Sequence, residues 1–412
     1  MMKLSKTVKE KVNRLAIAGR NQIPDRVSIT SQIETFAYGY GKTTIEEVKK
    51  NPIMGIKAFS KCYKDIYFDG YFENIFVHPF AFFDGLGADS YFASDDGVTA
   101  QHREIAPMKA DEYLELAENP QEFLMNVINP RKFPNLNGEE KSQREAIKNA
   151  LGGALSFMVG LMGGGILHPI LTDTPTFFGG FLESPFDNVF DFLRGFKYTA
   201  VDLRRRPDEV EEAVNQIFLQ YTVECEKIYS LLNVIQKPAD LMHNVVNAAF
   251  TGGDIHAYDF PWFFNPTHAP AFLSTAQFER FYWPTYKKSI ELINSWGGIV
   301  CILLEGKWGH EKIEFFNELE PGSVILYVDD DDICKVKKQM GTRHAVMGGM
   351  PAAMLKYSTK KECIDHAKRI VDECAPGGGF IFTTDKSLLS IDDAKVENLK
   401  AVNEFVHVYG QY

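Results

Sequence analysis

Apolar and polar positions alternate most regularly near the C-terminus. Apolar runs at 298–305, 323–329, 345–350 and 379–383 are each followed by apolar residues at helical spacing, near 311–319, 332–340, 359–374 and 393–408. Nearly continuous apolar strands separated by amphipathic helices predict a parallel sheet covered on both faces. Upstream, 207–232 opens on Pro207-Asp208-Glu209 and reads as a helix, 245–250 is a short apolar run ending in Gly252-Gly253-Asp254, and Ser274 caps a helix to about residue 295 with Gln277 in the capping-box position.

The first part of the chain is more mixed. Residues 7–17 and 44–67 read as helical and 26–33 as a strand. The stretch 129–140, rich in Pro, Asn and Gly, reads as a linker. The whole chain, 1–412, reads as a single domain, with an N-terminal part, 1–150, carrying extra helices and main barrel units over 151–412. The Gly-rich apolar stretch 151–171, holding His168 and Pro169, reads as buried strand and loop rather than a lipid-facing helix. The long run of strand–helix units, with no dinucleotide loop, predicts one α/β domain: a single (β/α)8 TIM-type barrel with an N-terminal extension and helical insertions. Gly377-Gly378-Gly379 precedes a strand, so it reads as a helix stop and turn, not a phosphate loop.

Charge and cysteine usage narrow the function. A net charge of −11 disfavours nucleic acid. Six scattered cysteines without C-x-x-C spacing fit reduced thiols, and residues 1–10 lack the apolar run of a signal peptide. The expectation is a cytoplasmic protein with no membrane partner.

Barrel chemistry is built where strands end. Glu305 ends the first of the four C-terminal strands, Asp329-Asp330-Asp331 the second, Gly348-Gly349-Met350-Pro351 the third, and Thr383-Thr384-Asp385 the fourth. An earlier strand end contributes Asp254, His256, Tyr258 and Asp259. Such acids with a histidine suit a divalent metal or acid–base work. His310, in the loop past Glu305, is placed at the site. His78, His168 and His268, each near a proline, read as packing or loop residues, and His344 falls at the barrel bottom. The aromatic segment 258–264, with Tyr258 and Trp262, suits a flat substrate or the core. Asp332 reads as a helix cap.

At these residues the chain resembles the uroporphyrinogen decarboxylase superfamily, which includes corrinoid-dependent methyltransferases. From Ser274 to Pro284 it is similar to the family's S-x-x-x-F…P helix. Gly297-Gly298 leads into the strand that in the family ends in His-x-Cys-Gly. Gly348-Gly349-Met350-Pro351 resembles its G-N/G-h-x-P strand end, and 390–402, with Glu397-Asn398, its closing P-x-E-N-h-x-A helix. Arg194-Gly195, Arg206-Pro207 and Asp25-Arg26-Val27 also fit.

The departures carry information. Leu303 and Glu305 occupy the His-x-Cys positions, and Asp385 stands where a late cysteine is expected. Zinc that holds a thiolate favours soft ligands, so this oxygen-rich set argues against thiol alkylation. Ala18-Gly19-Arg20-Asn21-Gln22 is a poor version of the arginine-rich motif of the decarboxylases.

The resemblance therefore implies the branch that moves methyl from a donor, such as a methoxylated aromatic, to Co(I) of a corrinoid protein. Combined with the strand-end residues above, this reading assigns catalysis to Glu305, His256 and His310, substrate contacts to Tyr258, Trp262, Asp254 and Met350, and metal, zinc by expectation, to Glu305, Asp329 and Asp385. A separate corrinoid protein is the expected partner, since no D-x-H-x-x-G motif is present. A homodimer is compatible with this reading. The alternatives are a lyase acting on a small carboxylic acid, with Arg20, Arg26 and Arg194 as its basic groups, and a methylcobamide:thiol methyltransferase.

Overall fold

The computed structural model describes residues 5–72, 79–176, 178–233 and 262–412. Eight parallel strands form one sheet: β1 (Ser28–Ser31), β2 (Gly70–Tyr71), β3 (Phe178–Phe181), β4 (Trp262–Thr267), β5 (Ile299–Leu304), β6 (Val324–Val328), β7 (Ala345–Met350) and β8 (Phe380–Thr384). Their order is β2-β1-β8-β7-β6-β5-β4-β3, so strands adjacent in sequence lie adjacent in space and β8 pairs with β1. The two outer edges also meet. Tyr71 of β2 bridges in parallel to Thr176, just ahead of β3, and its N–H donates to the Pro175 carbonyl at 3.1 Å. That bridge completes the ring of a TIM-type barrel.

The apolar runs from β5 onward are continuous because both strand faces are buried. Ile299, Cys301, Ile325, Tyr327, Ala345, Met347 and Ile381 fill the barrel, while Val300, Ile302, Leu304, Val324, Leu326 and Val328 meet the surrounding helices. The four C-terminal strands lie within one or two residues of their sequence-predicted bounds. Ser274 caps its helix with Gln277 in a complete capping box. Asp332 accepts from the Cys334 and Lys335 amides.

Helix α1 (Lys6–Gly19) closes the barrel bottom, inserting Leu15 and Ala18 beside Trp262. Gly19 is required there, since a Cβ would lie 2.7 Å from the indole ring. Arg14, only 6% exposed, binds both oxygens of Asp25 at 2.7 Å and reaches the fully buried Asp69 at 2.5 Å. Asp69 also accepts from Tyr67 Oη and the Ile29 amide. The buried charge is thereby paired and hydrogen-bonded.

Two sequence expectations fail. First, 129–140 is not an irregular linker: it contains helical turns at Asn129–Lys132 and Pro134–Leu136, and residues 1–150 already supply β1 and β2 of the barrel. Second, 151–171 is neither strand nor loop. It lies within one 33-residue helix, Glu140–Thr172. Glycines weaken an isolated helix, but here the inward line of Ala146, Ala150, Gly153, Gly164 and His168 lets neighbouring helices approach closely. A Cβ on Gly153 would lie 2.4 Å from the Ala81 backbone. His168 is buried against Tyr71 Oη at 3.0 Å and the Ile56 carbonyl at 3.2 Å. The predicted strand 245–250, with Asp254, His256 and Tyr258, lies outside the described residues.

Candidate active site

Three consecutive strands deliver their next inward residues to one side of the barrel mouth. Glu183 follows β3, His268 follows β4 and Glu305 follows β5. The register holds them level, since Thr267 pairs with Leu304. After β3, Ser184 caps a short turn (Pro185–Asp187) that continues as a wide helical turn to Arg194. Asp187 and Asp191 stand four residues apart on it and face the mouth together.

His268 is the centre of this group. Its Nδ1 lies 2.6 Å from Asp191 Oδ2 and its Nε2 lies 3.1 Å from Glu305 Oε2. Burial would lower the imidazole's affinity for a proton, but the bonds to Asp191 and Glu305 overcome this and hold its pKa up at about 12. The ring is therefore a cation bracketed by two carboxylates.

Asp187, fully buried, accepts from Tyr282 Oη at 2.6 Å, Ser184 Oγ at 2.8 Å and the Ala269 amide at 2.8 Å. Burial, aided by the Asp191 charge, still pushes its pKa up to about 6. Glu183 is raised well above the usual carboxylate range by burial and by Asp187, with His268 opposing. Its Oε1 is buried with no hydrogen-bond partner. The hairpin Tyr91–Ala93/Ala100–His102 lies alongside: burial and the charges of Glu183 and Asp191 push the Tyr91 hydroxyl up to about 12.

Four carboxyl groups thus surround one imidazole. Glu183, Asp191 and His268 each offer a ligand atom within 4.8 Å of the others, and among the described residues no other such group of three occurs. A buried carboxylate oxygen lacking a donor, beside a surplus of acids, fits a cation. With one imidazole nitrogen, carboxylate oxygens and no thiolate, the donors suit zinc or a harder divalent ion.

The sequence-chosen residues meet this arrangement unevenly. Glu305 is in it, half exposed. The proposed metal set of Glu305, Asp329 and Asp385 does not converge: those carboxylates serve loops instead. Asp329 accepts from the Gly306 amide at 2.9 Å and pairs with Lys386 at 3.3 Å, while Asp385 accepts from the Ala352 amide at 2.8 Å. Burial raises both acids.

His310 opens a helix on the outer surface, in a groove with Lys307, Asp332, Lys335 and Gln339, rather than in the mouth. Trp262 begins β4 and is fully buried low in the barrel, so it fills the core. Met350 belongs to the helix-side core, whereas Met347 of the same strand fills the barrel interior. Asp254, His256 and Tyr258 are outside the described residues.

Glu183, Asp187, Asp191 and His268 were missed in the sequence. His268 was legible in principle. It follows the run Trp262–Thr267 directly, and drawing the barrel strand there, rather than at 245–250, places it at a strand end.

The class defined so far is a parallel (β/α)8 barrel with an acidic, histidine-centred constellation at its C-terminal mouth. Residues 235–409 match the family model for uroporphyrinogen decarboxylase (URO-D), so the C-terminal part of the chain is similar to that family. Among solved structures, a methyltransferase from Methanosarcina mazei is similar with a TM-score of 0.59 and 14% sequence identity, over 97% of this chain and 98% of that one. At that identity the likeness concerns the fold. No curated protein sequence matches significantly.

Proposed function

We propose that this protein is a methyltransferase that moves a methyl group from an O-methyl donor, a methoxylated aromatic in the leading case, to Co(I) of a separate corrinoid protein. The likeness in fold to a methyltransferase, with the C-terminal similarity to the URO-D family, supports the class. The observation that carries the chemistry is His268, held as a cation between Asp191 and Glu305 at the mouth. In the reaction the cobalt supplies an electron pair to the methyl carbon, and the carbon–oxygen bond breaks with its pair left on oxygen. That oxygen must be neutralised as charge develops on it.

Two groups of this chain hold protons suited to the task. His268 carries one at neutral pH, and Glu183 holds one because burial and its acidic neighbours oppose its ionisation. Asp191 and Glu305 orient the imidazole. Asp187, tied to Tyr282, Ser184 and Ala269, fixes the turn that carries Asp191. A divalent ion, zinc by expectation, would be held by Glu183, Asp191 and His268 only once they had released these protons, and it would then supply Lewis-acid stabilisation of the leaving oxygen in their place. Asp187, Asp191 and Glu305 outnumber the single imidazolium at the mouth, and this excess of negative charge argues against a lyase for small acids. The absence of a thiolate from this group argues against activation of a thiol acceptor.

The test mixes the purified protein with a Co(I)-corrinoid protein and a panel of methoxylated aromatics, and follows the corrinoid absorbance. A donor-dependent spectral change with release of the demethylated product is expected. No change with any O-, N- or S-methyl donor overturns the proposal.

A further inference from the structure

We propose that the outer face of the long helix Glu140–Thr172 (here α2) pairs two copies of this chain. Its inner line of small residues is covered by the protein's own helices, but only 17% of its most apolar window is buried. Ile147, Leu151, Leu155, Met158, Met162 and Ile166 recur every three or four residues along the opposite face, with Leu155 68% and Met162 62% exposed. From Asn149 to Thr172 there is no Asp, Glu, Lys or Arg. Isolated exposed apolar residues are ordinary, whereas an uninterrupted stripe of this length marks an interface.

The area selects the occupant. The stripe continues through Ile170 and Leu171, so it runs roughly 36 Å along the helix at 1.5 Å per residue. Side chains of this size, each about half exposed, offer on the order of 800 Å² per copy, the share one partner contributes to a standard interface. Two such stripes crossing about a two-fold axis cover each other completely, because the surface is its own complement.

Gly152 supports close approach of a second helix. It lies on the exposed side with nothing within 4 Å of where a Cβ would be, so this chain's own packing does not require glycine there. The missing side chain leaves a notch in the stripe into which a partner helix would fit. A membrane surface is disfavoured: interfacial helices carry lysine and arginine beside the apolar face, whereas this stripe has none and belongs to a chain of net charge −11.

The experiment is sedimentation velocity on the full chain at about 10 µM without lipid or detergent, a concentration at which standard-sized interfaces are occupied. The wild type should sediment as a dimer. Leu155→Glu with Met162→Glu should sediment as a monomer with unchanged circular dichroism, its dissociation constant raised at least about 100-fold. Gly152→Leu, which favours the helix while filling the notch, should weaken the dimer by about tenfold or more. A monomeric wild type overturns the proposal, as does a dimer whose affinity none of these changes alters. Flotation of a monomeric wild type with phosphatidylcholine or phosphatidylserine vesicles overturns it in favour of lipid.

Discussion

Replacing His268 with Gln tests whether the mouth is organised around an imidazolium. The change keeps a polar side chain of similar reach but removes the cation between Asp191 and Glu305. The imidazole pKa is raised from 6.5 to about 12; at 1.36 kcal/mol per unit, a dry site would make this about 7 kcal/mol. The ring is 35% exposed and Glu305 49%, so water screens much of it. We expect a loss of about 2–3 kcal/mol at pH 7.5. The sign follows from a folded pKa above the unfolded one: stabilisation is complete below pH 6.5 and fades as pH rises toward about 12. A screened stabilisation of about 2–3 kcal/mol is used up within about two pH units, so by pH 10 the penalty for His268→Gln should have largely disappeared. The assay is urea unfolding of both proteins in chelator at the two pH values, together with nitrogen-15 NMR of the wild-type imidazoles. A penalty equal at the two pH values, or a His268 ring that titrates near 6.5, refutes the reasoning.

Other consequences follow from the same geometry. Glu305→Gln should lower methyl-transfer kcat by about 100-fold, whereas His310→Ala, on the outer groove, should leave it unchanged; steady-state kinetics on matched preparations checks both. The chelated protein should bind one equivalent of zinc or manganese by elemental analysis after desalting, and Asp191→Ala or Glu183→Ala should abolish this while Asp385→Ala does not. Arg14→Met should cost about 3–5 kcal/mol by leaving Asp69 charged and unpaired in the barrel bottom, with little effect on kcat of the folded fraction. Denaturant unfolding with activity measured at saturating substrate separates the two effects.

The C-terminal half of the fold was readable because strands buried on both faces write themselves as unbroken apolar runs, and their helices as 3.6-residue stripes. β5 to β8, the cap at Asp332 and the capping box at Ser274 all follow from such local signals. The long glycine-rich helix was misread because its stability comes from contacts with other helices. Local propensity counts the cost of glycine and not the close approach it permits. β2, only two residues long, has too little chain to carry a pattern.

The site divides along the same line. Glu305 could be found because it ends an unmistakable strand, and a carboxylate there is conspicuous. Asp329 and Asp385 looked equivalent to it, yet the folded loops direct their oxygens to the amides of Gly306 and Ala352. His268, beside prolines, looked like an ordinary loop residue. Its importance arises only when β3, β4 and β5 lie side by side and bring Glu183, Asp191 and Glu305 around it. The amino-acid sequence by itself determined the barrel, its direction and the end at which chemistry occurs, because hydrophobic periodicity is a local property of the chain. Which side chains meet at that end was decided by the tertiary structure, because distances and proton affinities depend on neighbours remote in sequence.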